Sequence, residues 1–433
     1  MLQENFRTGT ETPAPEQVFR YSHAPLQNGE SSQPEYYYGH ALLQKGESSQ
    51  QEFRSGTARW EALPGLTMYL LINSLFLLKY VSRSSFPEWA SVVVYSLFII
   101  SLVSMFRLLP ERFFKPLYFT VAAGMLAGIL LLHRTIDPLT VQVDRWSAID
   151  HFLERMLKGE YPYMAQTHLG GYGSPFPFWN LFHLPYYLLG DVAIGMLAVL
   201  IALIFSLKRI SGNYTGAALF LVLLAVSPAF WYEVAVRSDL LYNFLLCFLI
   251  IAWWYHRGIT IGSSLWTTAL VSGLMLSTRL SIVIPFFLYL FPGFILAGWK
   301  QRLLFTGIAA LCFLLTFLPF MVWDLNQLVF FEYNPFVLQT RQGSPLELLV
   351  LAALLVPFSL LWKGNTVRYA TFTYLTIVVF VSVTFIHRMF TDNFESELFS
   401  SRYDITYFNM SLPFVLWVIS RSSMFGKTNA AGN

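Results

Sequence analysis

Asp144 stands within a polar stretch, HRTIDPLTVQVDRWSAIDHFLERMLKGEYPYMAQTHLGGYGSPFPF, that follows a long apolar run. A carboxylate there can take the proton from a hydroxyl nucleophile, while a departing phosphate needs positive charge to receive it. Arginine suits the second task because its planar fork of donors matches phosphate oxygens. Three arginines open or interrupt apolar runs further along: Arg237 in Arg237-Ser238-Asp239, Arg279 in TRLSIVIP, and Arg402 ahead of the last run. Ionisable residues at membrane depth are costly and often functional. Together these residue types suit transfer of a group from a phosphate ester to an alcohol. Asp144 is the candidate base, and Asp137, earlier in the same loop, is the second candidate.

Each of these residues also has a purely structural reading. Either aspartate can cap the following helix or simply be solvated. Arg237 can pair with Asp239 or Glu233, Arg402 can pair with Asp404, and Arg279 can snorkel to the interface from a hairpin of two apolar helices. His151, His168 and His183 lack the short spacing of two zinc ligands on one helix face, so no metal site is expected from them. No cofactor is required by the sequence. A divalent ion is compatible with phosphate chemistry, but no motif calls for one.

The elements that must position these groups follow from composition. Of 433 residues, 55% are apolar and only 12% are charged, about half the share that a soluble chain uses to cover its surface. The apolar residues gather into runs close to the roughly 20 that cross a bilayer as a helix. A soluble Rossmann or TIM-barrel enzyme and a nucleic-acid binder are both excluded. The expected fold is an all-α polytopic membrane protein of about 12 transmembrane helices (range 11–13). The spans fall near 64–82, 88–106, 116–133, 191–207, 214–232, 240–256, 264–281, 282–298, 303–323, 346–362, 369–387 and 405–420. The stretch 176–190 is apolar but short, interrupted by Pro185 and rich in aromatic residues, which suits a helix that enters only part way. Cys247 and Cys312 lie inside apolar runs, which rules out a disulfide framework.

Residues 1–61 differ from the rest, being polar and rich in Gln, Ser, Glu, Gly and Pro, and the segment is expected to be a disordered cytoplasmic tail. It carries a 17-residue duplication, Tyr21–Tyr36 matching Tyr38–Phe53, without the apolar faces of a solenoid. It also lacks the basic start and short apolar core of a signal peptide. Residues 62–115 read as two accessory transmembrane helices. Residues 116–290 read as a core whose first outer loop is 134–190. Residues 291–425 complete the helices, with outer loops 324–345 and 388–404.

Charge decides the orientation. One set of loops holds Arg107, Arg112, Lys115, Lys208, Arg209, Arg257, Lys300, Arg302, Lys363, Arg368, Arg421 and Lys427 against a single acid, Glu111. The other set holds 16 acids and 10 bases. The positive-inside rule makes the first set cytoplasmic, places both termini inside, and sends 134–190 to the extracytoplasmic face. Within that loop Trp146, Ile149, Phe152, Leu153 and Met156 recur at helical spacing, which predicts an amphipathic helix ending near Gly159.

The order of these features resembles the C-type (GT-C) integral-membrane glycosyltransferases. An Asp follows a span, an amphipathic helix leads to Gly159 and Tyr161-Pro162-Tyr163, a Tyr/Pro-rich turn from Tyr172 to Pro177 enters an apolar helix, and Arg237-Ser238-Asp239 opens a later span. The resemblance covers about residues 116–290, with Arg402-Tyr403 near the last span. Ser174-Pro175-Phe176-Pro177 stands where many members have an aromatic followed by paired prolines, and two spans precede the matching first helix.

The resemblance implies transfer of a sugar, such as mannose or another hexose, from a polyprenyl-phosphate donor to a lipid, glycan or protein acceptor on the extracytoplasmic face. It implies a catalytic Asp in the first outer loop, at Asp144. Arg237, Arg279 and Arg402 become the donor-phosphate candidates, and Asp239, Tyr163, His168 and Tyr172 the sugar or acceptor candidates. A bacterial source would put the chain in the inner membrane and a eukaryotic one in the endoplasmic reticulum. Tyr161, Tyr163, Trp179 and Tyr186 read as either an aromatic belt or sugar-stacking rings. The alternative is a polytopic transporter or flippase, which the number of spans also fits. The acids cluster at the outer surface rather than mid-span, and neither half repeats the other, which favours the enzyme.

Overall fold

A computed structural model describes residues 59–340, 345–391, 393–399 and 404–421. By its contacts the chain divides between Gln51 and Glu52, and all the described residues belong to the second unit. The duplicated tail, apart from its last residues, and Arg402 therefore lie outside the described residues, as do parts of the two later outer loops.

The described chain is helical. In order, the helices are α1 Arg59–Val81, α2 Glu88–Phe106, α3 Phe114–Thr135, α4 Arg145–Leu157, α5 Pro177–Leu188, α6 Ala193–Ser211, α7 Tyr214–Ala225, α8 Pro228–Ala235, α9 Leu240–Arg257, α10 Leu265–Leu276, α11 Val283–Leu296, α12 Trp299–Val329, α13 Pro335–Thr340, α14 Pro345–Leu361, α15 Thr366–Thr391, α16 Phe394–Leu398 and α17 Leu412–Arg421. Seven stretches of helix are long and apolar enough to cross a membrane: Leu63–Val81, Glu88–Phe106, Glu111–Thr135, Ala193–Ser211, Leu240–Arg257, Trp299–Val329 and Thr366–Phe390. The pair α7 and α8, bent by 62°, would make an eighth. Large apolar side chains such as Val94, Leu97, Leu131 and Phe205 stand exposed on these helices, surface that lipid rather than water covers. The chain is an α-helical membrane protein.

Each of the twelve expected spans coincides with helix, but four of them are short. The 12 residues of α10 rise only about 18 Å, well under the roughly 30 Å hydrocarbon thickness. The chain then leaves the helix in a turn at Ser277 and Thr278, and Arg279 takes an extended conformation before a 3₁₀ turn leads into α11. A 3₁₀ helix, Ile405–Ser411, likewise makes up the first part of the last expected span before α17 begins. The ninth span ends where expected. Asp324 takes non-helical angles inside α12, and its carboxylate accepts from the Gln327 N–H at 3.1 Å to start a further turn.

Helix α1 packs into the bundle. Tyr69, Ile72, Asn73 and Phe76 are buried, and the helix packs on α8 and α17. Asn73 accepts the Ser227 hydroxyl at 2.6 Å and the Ala229 N–H at 3.2 Å, which satisfies the backbone opened by the bend between α7 and α8. A close crossing joins α10 to α12, where a Cβ at Gly273 would meet the Ala309 carbonyl oxygen at 2.5 Å.

Candidate functional site

Asp144 begins α4, as the spacing of the apolar residues predicts. Its carbonyl accepts the Ala148 N–H at 2.9 Å. Its side chain makes no cap bond. Instead Oδ2 accepts the Thr167 hydroxyl at 2.8 Å, and the Thr167 oxygen in turn accepts the Gly171 N–H at 3.1 Å. Residues 166–172 form a tight loop closed by a bridge between Gln166 and Tyr172, with Gly170 at φ +81°. A Cβ on Gly171 would lie 3.3 Å from Asp144 Oδ2, so glycine lets the loop backbone press against the carboxylate. Oδ1 carries no hydrogen bond and no cation pairs with Asp144 among the described residues, although the residue is half-buried.

His168 anchors the same loop. Nε2 lies 2.9 Å from the Val141 carbonyl, which can only accept, and Nδ1 lies 2.7 Å from the Ser147 hydroxyl. Both ring nitrogens are therefore occupied in clamping the loop to the start of α4, and neither is open to a sugar. Asp137 is exposed, and its carboxylate accepts the Leu139 N–H at 2.9 Å in a local turn.

Arg145, absent from the sequence candidates, is held beside Asp144 with its side chain 12% exposed. Its guanidinium donates to Asp404 Oδ2, to Thr406 Oγ1 at 2.6 Å and to Ser238 Oγ at 2.9 Å, and it lies over the Tyr407 ring. Burial alone would raise the Asp404 carboxyl, but Arg145, two bonds from Thr406 and the charge of Lys79 hold it below the usual carboxylate range. The pairing once open between Arg402 and Asp404 is thus supplied, among the described residues, by Arg145.

The arginine pairings differ from the local ones that proximity in sequence offers. Arg237 pairs with Asp191 at 2.6 Å rather than with Asp239 or Glu233, and it donates to the carbonyls of His133 and Ile136. It takes φ +48°, a left-handed conformation unusual for a residue with a side chain. Asp191 also accepts from Trp146 Nε1 at 2.9 Å, which ties α4 to the start of α6. Glu233 accepts from Asn409 at 2.8 Å.

Arg279 does not snorkel. Its Nη2 lies 2.8 and 2.7 Å from the two oxygens of Asp239, with Nε 3.3 Å from Oδ2, and Trp179 Nε1 adds a bond at 2.7 Å. Asp239 is 0% and Arg279 8% exposed, so the pair is buried. Arg279 stands at the break between α10 and α11, and from there its side chain meets Asp239 at the start of α9.

Of the aromatic candidates, Tyr163 is buried against Phe152 and Phe320, and Trp179 is buried on Phe182. With Tyr161 7% exposed, these three rings form an internal wall rather than a belt facing lipid. Tyr172 points elsewhere: its hydroxyl donates to Glu332 at 3.0 Å and its ring packs on Tyr333. Asp150, half-buried on the same side of α4 as Trp146, has its carboxyl pushed up to about 6 by burial, with the charges of Asp191 and Glu154 adding and His151 opposing.

The site residues thus separate into groups. Asp144, Thr167, His168 and Gly171 form one cluster, and Arg145 links it to Asp404 and Ser238. The next residue, Asp239, carries Arg279. Arg237 belongs to the Asp191 pair, and Tyr163, Tyr172 and Asp137 make none of these contacts. Among the described residues, no three His, Cys, Asp or Glu side chains converge to hold a metal ion. No family model matches the chain, and no curated protein or solved structure matches it either.

Proposed function

We propose that the chain is an integral-membrane glycosyltransferase that moves a hexose from a polyprenyl-phosphate donor to a hydroxyl acceptor on the extracytoplasmic face, with Asp144 as the base. The observation that carries this reading is the state of the acids around Asp144. Asp191, Asp239 and Asp404 each face a guanidinium, and Glu233 is held by Asn409. Asp144 is fixed by one hydroxyl and keeps a bare oxygen. A base must be held in place, remain able to accept a proton and be reachable by a substrate; Glu233 also keeps a bare oxygen but is fully buried, whereas Asp144 is half-buried.

The acceptor hydroxyl gives its proton to Asp144 Oδ1 as its oxygen attacks the anomeric carbon. The bond from that carbon to the phosphate oxygen breaks, and the electron pair leaves with the phosphate. The guanidinium of Arg145, next to the base, is the donor assigned to that charge in this proposal, and the phosphate would have to share it with Asp404. The twelve spans, the inner position of both termini and the role of Arg402 belong to the same proposal. Membranes bearing the protein and given labelled polyprenyl-phosphate mannose should transfer label, and Asp144→Asn should abolish transfer at unchanged expression. Full activity in Asp144→Asn would remove the assignment of the base.

One observation favours the second reading, a transporter: helices broken beside a buried ion pair, as at Arg279 and Asp239. Against it, Asp239 stands immediately ahead of α9, whose 18 residues rise about 27 Å, so the pair sits at a span's end rather than at its midpoint. Uptake or flipping of a lipid-linked sugar by the Asp144→Asn variant, without transfer, would support the transporter.

A further inference from the structure

At the end of the bundle opposite Asp144, two arginines share one tryptophan. The Arg209 guanidinium lies 5.4 Å from the centre of the Trp253 ring and that of Arg257 lies 4.7 Å from it. The His256 ring is 6.1 Å away. Lys208, one residue before Arg209, lies over Tyr214. Neither Arg209 nor Arg257 has a carboxylate within 4.0 Å among the described residues. Two exposed guanidiniums on one ring repel each other, and an anion between them would relieve that repulsion.

The surface leading to this cluster indicates which anion. On α6, Ile201 and Phe205 are exposed, Phe205 at 79%, and they share a face with Lys208 and Arg209 one and two turns on. On α9, which packs against α6, Leu246, Ile250 and Trp253 form a half-buried stripe that ends at Arg257. Two apolar tracks therefore run side by side toward the paired cations. A free phosphate has no use for the tracks, whereas a phospholipid fills both parts at once, its acyl chains along Phe205 and Ile250 and its phosphate at the guanidiniums.

We propose that the surface where α6 and α9 pack side by side is a binding site for an anionic phospholipid, with Arg209 and Arg257 holding the headgroup phosphate over Trp253. The site is independent of the transferase chemistry at the other end of the bundle.

The test uses the full chain purified in detergent and titrated with phosphatidylglycerol or with phosphatidylcholine of the same acyl chains, bound lipid being counted by native mass spectrometry. Phosphatidylglycerol should bind in preference, and the Arg209→Gln/Arg257→Gln double variant should bind it roughly thirtyfold more weakly. Lys115→Gln/Lys300→Gln, which removes the same charge from exposed sites elsewhere, should bind it as the parent does. Trp253→Leu, which keeps both charges, should weaken binding several-fold and guards against misfolding of the double variant. Equal binding by parent and double variant, an equal loss in the Lys115/Lys300 control, or no preference over phosphatidylcholine would overturn the proposal. Displacement of the lipid by millimolar glycerol 3-phosphate would do so as well, since the site would then be one for soluble phosphate.

Discussion

The Thr167 hydroxyl donates to Asp144 Oδ2 at 2.8 Å while its oxygen accepts the Gly171 N–H, so a single threonine joins the carboxylate to the loop that covers it. Its hydrogen has one destination, and the carboxylate is left with Oδ1 facing away from the bond. Thr167→Val keeps the shape and removes the bond. It should lower the transfer rate about ten- to a hundredfold, since a hydrogen bond to a charged group contributes roughly 1.5–3 kcal/mol. Thr167→Ser should restore most of it, and the measurement is kcat with the labelled donor.

Gly171→Ala places a methyl 3.3 Å from Asp144 Oδ2. The loop or the carboxylate must give way by a few tenths of an ångström. Transfer should fall several-fold with little change in the unfolding temperature, since the loop lies at the surface and not in the helical core. An alanine variant with parental activity would show that the close approach is dispensable.

The buried pair of Arg279 and Asp239 should be the most stability-sensitive feature near the site. Asp239→Asn leaves Arg279 uncompensated, and removal of one partner of a buried pair costs about 3–5 kcal/mol. Asp239→Leu/Arg279→Met should recover a large part of that loss, because no charge is stranded. Thermal unfolding in detergent of both single variants and of the double variant measures the difference.

Two acids should respond to pH in opposite directions. The folded state raises the Asp150 carboxyl to about 6, so between the ordinary range and that value the folded chain binds more protons than the unfolded one. Asp150 therefore makes the protein less stable as pH rises through that window. Asp150→Asn should raise the unfolding temperature at about pH 7, with a smaller gain at about pH 5. Asp404, held low by Arg145 and Thr406, stabilises above the ordinary carboxylate range and loses that contribution as pH falls through its depressed value.

Orientation is measurable by thiol labelling. In a Cys247→Ala/Cys312→Ala background, a cysteine at Gly170 should react with an impermeant reagent from outside the cell, and one at Lys208 should not. The reverse pattern would put the basic end outside and would remove the donor logic.

Much of the helical framework is legible in the sequence because a helix reports its own periodicity. The apolar spacing from Trp146 to Met156 leads to α4 within a residue or two, and the run ending at residue 323 stops where Asp324 breaks the helix. What is not legible is which charge meets which. Arg237 and Asp191 lie 46 residues apart, Arg279 and Asp239 lie 40 apart, and Arg145 and Asp404 lie 259 apart. Such pairings depend on how helices cross, which local pattern does not encode. For the same reason the sequence passes over Arg145, whose neighbour Asp144 stands out more, and offers His168 as a sugar ligand when both its nitrogens are taken. An arginine directly after the candidate base, in a loop rich in acids, was the signal available.

The packing of α1 against α17 joins helices that lie far apart in the sequence. Helix α1 carries a buried asparagine whose partners Ser227 and Ala229 lie more than a hundred residues further along, and α17 covers part of its surface. The two helices therefore close on each other like a clasp. Removal of α17 should release α1 as well, and the two lost together would expose the bend at Ser227, so damage to either helix would be felt at the same internal place.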